Sequence, residues 1–350
     1  MRFLRSTQRR NPKLLHNDPT AITADEVLYA VSRGVTFLNW SAEAEGPPDD
    51  EAFPAAVASL GRERERVVAC CQFAARTAGE AARELKSVLA ALCTSYIDVL
   101  TLYYVEQQEE WDVLRAPGGV LEYLRSAKAD GAVWRIGATS HQRPLAAAMA
   151  RSRLLDCLMV RYNAAHRGAE QDVFPVTSAF GMPVIAHTAL RWGALLRSTP
   201  DDPPGFVPPS APAWYRFVLQ SPAVSVVLSA PHARAELEED LGVLAATGPL
   251  PPAEYDALAA HGERVRAHAG RFPNARCVEP YASVVWRLRP EFGLVSMCPR
   301  FVRSSATSVA GSYVVPTSAS DSGRVVAPCL ARYTTTFLPS AIAFRQRAAM

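Results

Sequence analysis

Side chains that do chemistry in an α/β protein gather where a strand hands over to a loop, because only there can acids, bases and donors converge on a ligand. Residues 34–46, GVTFLNWSAEAEG, have this form: a buried-strand pattern runs into a polar turn. Val35, Phe37 and Asn39 share one face of such a strand, since side chains alternate. The turn beyond offers an amide, a tryptophan, a serine and two glutamates, Glu43 and Glu45. A second cluster follows the run IDVLTL, where Tyr103 and Tyr104 stand side by side and should face opposite sides of the sheet. Arg161 and Asn163 sit two apart at the end of another apolar run and therefore share a face. Other chemistries are poorly served. No HExxH, P-loop or GxSxG occurs, and the seven histidines (16, 141, 166, 187, 232, 261, 268) lack ligand spacing, so no metal site is expected.

Positioning these residues requires strands, and seven short apolar runs supply them: 35–40, 67–73, 97–105, 134–139, 157–163, 183–189 and 224–230. Helical patterns lie between. Thr23–Glu26 and Thr77–Glu80 are S/T-x-x-E capping boxes, and 81–92 and 233–246 repeat apolar residues every three or four positions. Runs apolar on both faces, alternating with helices, imply parallel strands covered on both sides. The expectation is an α/β fold of the (β/α)8 TIM type, with its first strand missing or irregular. An open doubly wound sheet is the fallback, and the absence of GxGxxG after any strand disfavours a Rossmann site.

Composition narrows the class further. The chain has 350 residues and a net charge of +3, too small to argue for nucleic acid or a membrane surface. Lysine occurs only at 13, 86 and 128. The seven cysteines show no CxxC, and Cys70, Cys71 and Cys157 fall in strand-like runs; buried, reduced thiols in a cytoplasmic protein are expected. The N-terminus lacks the apolar segment of a secretory signal, and no stretch approaches the roughly 20 apolar residues of a membrane helix. Residues 198–213 form a Pro-rich loop, either a lid or a surface excursion. From about Asn274 onward nine arginines face three acidic residues without lysine or period. This divides the chain into a barrel at 1–273 and a Ser/Thr/Arg-rich, weakly ordered extension at 274–350.

Six segments in order resemble those of the aldo/keto reductase family: GVTFLNW, YIDVLTLYYV, GAVWRIGATSH, VRYN followed by HR, PVIAHTALRWGALL and VVLSAPHARAELEEDL. The resemblance covers about residues 22–250. It implies a barrel that binds NADP or NAD at the C-terminal strand ends and reduces carbonyls with an Asp, Tyr, Lys and His tetrad. Hydride delivery leaves charge on oxygen, so a tyrosine donates a proton, helped by a lysine that an aspartate holds. Here the Asp position falls on Asn39, the Tyr position near Glu45, the Lys position on Cys71 or Gln72, and the His position on Tyr103. No lysine between 14 and 85 can restore the third by a shift of register. The family's first strand also has no counterpart in the opening segment.

The resemblance further implies a cofactor shelf. Thr139 and Ser140 match the pair that holds the nicotinamide amide, or else cap the turn before Pro144. Asn163 matches a shelf asparagine, and His187 replaces a stacking tyrosine or is simply packed. Leu190, Arg191 and Gly193 match the loop around the pyrophosphate, and His232 and Arg234 stand near a helix start suited to phosphate. Arg161 is either a structural ion-pair partner of Glu43, Glu45 or Glu106, or a clamp on a ligand anion or carbonyl. Tyr103 is the candidate replacement acid, with Arg161 and Asn39 beside it, or else lines the pocket. Three functions stay open: an NAD(P)H-dependent oxidoreductase with a degraded tetrad, a pseudoenzyme that binds a dinucleotide or other small molecule as a sensor or partner protein, and a barrel that has lost the cofactor and does unrelated chemistry or none.

Overall fold

Strands that are apolar on both faces need cover on both, and this chain provides it with helices between successive strands. A computed structural model describes residues 22–41, 52–246 and 248–268, with the backbone of 286–288 and 295–297. The first half runs α1 (Ala24–Ser32), β1 (Phe37–Ser41), α2 (Ala52–Ser59), β2 (Val68–Phe73), α3 (Ala78–Ala91), β3 (Ile97–Leu102), α4 (Gln108–Arg115), α5 (Val120–Ala129) and β4 (Val133–Ser140). There follow α6 (Arg143–Ser152), β5 (Cys157–Arg161), α7 (Ala169–Asp172), α8 (Phe174–Ala179), β6 (Val184–His187), α9 (Ala211–Leu219), β7 (Val224–Val227), α10 (Arg234–Leu241) and α11 (Pro252–His268).

All seven expected strands are present, and they pair in parallel in sequence order from β1 to β7. This is the wall of a TIM-type barrel. Among the described residues β1 and β7 share no ladder, so closure needs one more strand between them. The opening segment, in which the sequence offers no counterpart of the family's first strand, lies outside the described residues. The chain divides into units Met1–Tyr281 and Ala282–Met350. In the second, β8 (Trp286–Leu288) and β9 (Val295–Met297) pair antiparallel. The sequence shows no strand period there, because alternation cannot be read over three residues. The rest of the expected extension at 274–350 lies outside the described residues.

Strand alternation sorts the side chains into two cores. Leu38, Trp40, Cys71, Leu100, Ala138 and Val160 pack toward the helices, where Trp40 stacks on Phe53 at 5.4 Å. Phe37, Cys70, Val99, Cys157, Met159, Ile185, Val226 and Leu228 fill the barrel interior. The interior is tight at Gly137, where a Cβ would lie 2.5 Å from Cys157 Sγ and 3.0 Å from Thr101 Cγ2. Burial holds the thiols of Cys70, Cys71 and Cys157 protonated by raising their pKa values.

Helix α11 brings later sequence back against the β5 loop. A Cβ on Gly262 would lie 2.4 Å from the Ala164 carbonyl oxygen. The Pro-rich loop is tied to the same helix. Asp202 accepts from Arg264 Nε at 2.5 Å and contacts His261 Nδ1 at 2.9 Å. Burial opposes the charge on Asp202, but the Thr199 amide, His261 and Arg264 together hold its carboxyl well below the usual range.

Two expectations follow for stability. Gly262→Ala, forced against backbone, should destabilise the protein by about 1–3 kcal/mol in urea unfolding; an unchanged midpoint would mean that α11 does not pack there. The second concerns pH. Burial pushes Asp240 up to about 7, against the Ser229 and Tyr215 hydroxyls that favour the anion, and pushes Glu84 up to about 7 against the Ala74 and Ala75 amides. Unfolded carboxyls titrate near 4, so from about 4 to 7 the folded state retains protons that the unfolded chain has lost. The contribution of these two groups to stability should therefore be full below about pH 4 and be lost as pH rises to about 7, by up to about 1.4 kcal/mol per pH unit for each group. Asp240→Asn should flatten part of that decline; an identical pH profile would show Asp240 ionised.

Candidate functional site

Above the apolar layer, the barrel interior turns polar. Asn39, Gln72, Thr101 and Thr139 continue the inward faces of β1 to β4, and each is at most 1 % exposed. Register places Asn39 beside Cys70 and Gln72 beside Thr101. Gln72 Oε1 accepts from Thr139 Oγ1 at 3.3 Å. Gln72 Nε2 and both polar atoms of Asn39 have no hydrogen-bond partner. The alternation also settles which residue of the Cys71–Gln72 pair looks inward: it is Gln72, while Cys71 belongs to the helix-side core. Of the described lysines, Lys86 lies exposed on α3, and Lys128 pairs with Asp156 at 2.6 Å. The floor of the site is thus neutral, with an amide in each position where the resemblance expects a charge.

The wall beside it is aromatic. Tyr103 and Tyr104 do not diverge to opposite sides of the sheet; their rings stack at 3.9 Å. The reason is local: Tyr104 has φ of +45°, so strand alternation ends at this residue. Both rings are half-buried. Tyr104 lies 4.5 Å from the His141 ring, which meets His187 edge-on at 5.3 Å. Glu106 fixes His141, accepting from its backbone N–H at 2.8 Å and lying 3.0 Å from Nδ1.

Arg161 and His187 are neighbours on the last rung of β5 and β6, on the inward face with Met159 and Ile185. Two loops close over them. Asn163 Nδ2 donates to the Thr188 carbonyl at 2.8 Å, and Asn163 Oδ1 accepts from the Ala165 N–H at 2.9 Å. His187 Nδ1 lies 2.7 Å from Thr188 Oγ1. Arg191 N–H donates to the Thr188 carbonyl at 3.0 Å. In this second loop Thr188, Arg191, Trp192 and Gly193 all have positive φ, a conformation that costs non-glycine residues of order 1–3 kcal/mol each and concentrates at ligand sites. Leu190 packs from this loop against the core.

Electrostatics set the rim apart from the floor. Burial lowers the proton affinity of Arg161, and Glu106 offsets part of that loss. Of the three carboxylates expected to meet Arg161, Glu106 is the one the structure describes; Glu43 and Glu45 lie outside the described residues. Burial, then Arg161 and Arg266, bring Arg191 down to about 10. His166 falls to about 3, through burial first and then Arg161, Arg191, Arg266 and Arg143, so its imidazole is neutral at physiological pH.

The remaining expected residues are placed as follows. Ser140 Oγ accepts from the Gln142 N–H at 3.1 Å, the turn-capping role. His232 is exposed, and its N–H donates to Glu236 at 2.7 Å. Arg234 donates to Glu238 at 2.9 Å and covers the Tyr29 ring at 3.4 Å. The start of α10 is thereby engaged by the chain's own groups. Tyr104, His141 and His166 join the site without having been singled out as ligand contacts. Their position in loops after strands β3, β4 and β5 was the available signal. Among the described residues no three His, Cys, Asp or Glu side chains gather as metal ligands.

A parallel barrel with a polar mouth at its C-terminal strand ends is the architecture of the TIM-type oxidoreductases and of much else. The model of the aldo/keto reductase family matches residues 16–210, more than half of the chain. The chain belongs to the aldo/keto reductase family. Among solved structures, the holo form of an aldo-keto reductase from Bacillus halodurans is similar at 16% identity, over 72% of this chain and 88% of that one, with a TM-score of 0.56. An aldo/keto reductase from Klebsiella pneumoniae, in complex with NADP and acetate, is 18% identical over 69% of this chain and 84% of that one, TM-score 0.55. A glycerol dehydrogenase from Gluconobacter oxydans is 14% identical over 72% and 88% respectively, TM-score 0.55. At these identities the likeness is one of fold. No curated protein matches the chain.

The unpartnered amide of Asn39 makes a direct expectation. Burying an unsatisfied amide costs about 1–3 kcal/mol, so Asn39→Leu, similar in size, should raise stability by about 1–2 kcal/mol in urea unfolding. A loss of stability instead would show that Asn39 has a hydrogen-bonding partner in solution.

Proposed function

We propose that this barrel binds a nicotinamide dinucleotide, NADP or NAD, or a small molecule of similar shape at its mouth, and that it performs the family's carbonyl reduction very slowly or not at all. The observation that carries this reading is the neutral floor: Asn39 and Gln72, buried and facing inward, where the family's chemistry calls for an aspartate and a lysine. A phenol with pKa near 10 gives up its proton near neutrality only beside a cation, and these two amides supply none. The protein would then act as a sensor or partner whose state follows ligand binding.

The residues fit the nicotinamide half of the cofactor better than the adenosine half. Unmet donors and acceptors on Asn39 and Gln72 face the mouth, and the strained Thr188–Gly193 loop lies over it. At α10, by contrast, a phosphate would have to displace Glu236 from the His232 N–H. The fold neighbour from Klebsiella pneumoniae that holds NADP supports the choice of dinucleotide. A cytoplasmic setting agrees with the buried free thiols of Cys70, Cys71 and Cys157; among the described residues no helix is long and apolar enough to cross a membrane.

One observation favours a slow oxidoreductase as the second reading. The Tyr103–Tyr104 stack lies at the mouth, beside the half-buried Arg161. Calorimetry with NADPH, paired with an assay of NADPH consumption over a panel of aldehydes and ketones, separates the two. Binding in the micromolar range, about −8 kcal/mol, with consumption at background is the expected result. Turnover that disappears in Tyr103→Phe or Tyr104→Phe would favour the second reading. Absence of binding at millimolar NADPH would end both.

A further inference from the structure

The mouth carries a histidine whose ring is held by a carboxylate. Glu106, in the loop after β3, accepts from the His141 backbone N–H at 2.8 Å and lies 3.0 Å from its Nδ1. A carboxylate oxygen accepts, so in the neutral imidazole Nδ1 carries the proton and Nε2 keeps the lone pair. His141 is half-buried, with Tyr104 at 4.5 Å and the His187 ring edge-on at 5.3 Å. Tyr104 is held as firmly. Arg76, from the loop after β2, donates to the carbonyls of Tyr103 at 2.6 Å and Tyr104 at 3.3 Å. Arg76 also pairs with Glu110, whose second oxygen accepts the Glu106 N–H at 2.9 Å. One run of bonds thus joins the loops after β2, β3 and β4 and sets an imidazole beside a phenol. Carbonyl reduction and enolisation make different demands on that phenol. In reduction it must surrender its proton, which calls for a neighbouring cation. In enolisation it need only hydrogen-bond to the carbonyl oxygen, and a neutral phenol does so unaided.

We infer that His141, Glu106 and Tyr104 form an acid–base site for proton transfer next to a carbonyl, acting on small uncharged ketones without a cofactor. His141 Nε2 is the base. Its lone pair takes a proton from the carbon beside the carbonyl; the C–H electrons form a C=C bond, and the carbonyl π pair moves onto oxygen. The Tyr104 hydroxyl donates a hydrogen bond to that oxygen. Return of the proton to carbon restores the ketone, so the cycle needs no oxidant, reductant or co-reactant. Glu106 is a positioning residue: it fixes the tautomer and ring plane of His141 and offsets the imidazolium charge as it forms. The neutral floor of Asn39 and Gln72 suits an uncharged substrate. This activity goes beyond dinucleotide binding and does not depend on it.

The test uses the full chain in deuterium oxide with hydroxyacetone and cyclohexanone, following loss of the hydrogens beside the carbonyl by proton NMR. Exchange should exceed the rate in phosphate buffer alone. His141→Gln should lower it about a hundredfold or more, the ordinary contribution of a general base, and Tyr104→Phe by a similar factor. Glu106→Gln keeps an acceptor for the His141 N–H; it should lower kcat with KM unchanged, and Glu106→Asp should fall between. A purely structural role for Glu106 would move KM or the fold instead. His268→Gln, which loses a surface pairing with Asp201, should leave exchange unchanged. Should His141→Gln fail to fold by circular dichroism, Tyr104→Phe carries the same test. Exchange at the buffer rate in the wild type overturns the inference, as does exchange that survives both His141→Gln and Tyr104→Phe or falls equally in His268→Gln. Exchange is measured without NADPH, so it is read separately from the NADPH titration. Exchange without NADPH binding keeps this site and ends the dinucleotide reading, whereas NADPH binding without exchange does the reverse.

Discussion

A charge inside a barrel survives only if a partner or a ligand meets it. That constraint organises the inner surface of this protein. Along β1 to β4 the interior rises from an apolar layer to amides and hydroxyls and never acquires a charge: Asn39, Gln72, Thr101 and Thr139 are polar and neutral. Along β5 and β6 it ends instead in Arg161 and His187, where the loops can bring further groups to share the load. The mouth is therefore asymmetric, with a neutral half on one side and a cationic half on the other. A proton relay needs opposite charges within the floor, and the buried polar residues described along β1 to β4 carry none.

Loop stitching converts that asymmetry into a site. Asn163, one of the residues matched to the cofactor shelf, spends both polar atoms on backbone, fastening the β5 loop to the β6 loop. Helix α11 then packs from outside, its glycine allowing the helix to touch Ala164 and its His261 and Arg264 holding Asp202 of the Pro-rich loop. Residues separated by about sixty to a hundred positions in sequence thus hold these loops in place. The strained backbone between Thr188 and Gly193 persists because these contacts surround it.

At the start of α10 the physics runs the other way. A helix N-terminus with a nearby arginine is a common home for phosphate, and His232 and Arg234 suggested one. In the folded chain Glu236 takes the amide of His232, and Arg234 turns to Glu238 and Tyr29. The acidic first turn satisfies the helix dipole internally. The same interactions show why a cation near a helix start is a weak indicator of a ligand when carboxylates lie within one turn.

What the sequence by itself determined is local. Apolar runs of four to eight residues and capping boxes depend on neighbours in the chain, so seven strands and α3 with its Thr77–Glu80 box could be read directly. The identity of Asn39 and the scarcity of lysine were equally plain in the sequence, because enumeration needs no coordinates. The choice between Cys71 and Gln72 depended on which face of β2 looks inward, and this is a property of the sheet. The stacking of Tyr103 on Tyr104 required a positive φ that no side-chain pattern announces. The gathering of Tyr104, Glu106 and His141 depended on two loops meeting in space. Tertiary structure decided these because charges and rings interact through space, over separations on which periodicity along the chain is silent.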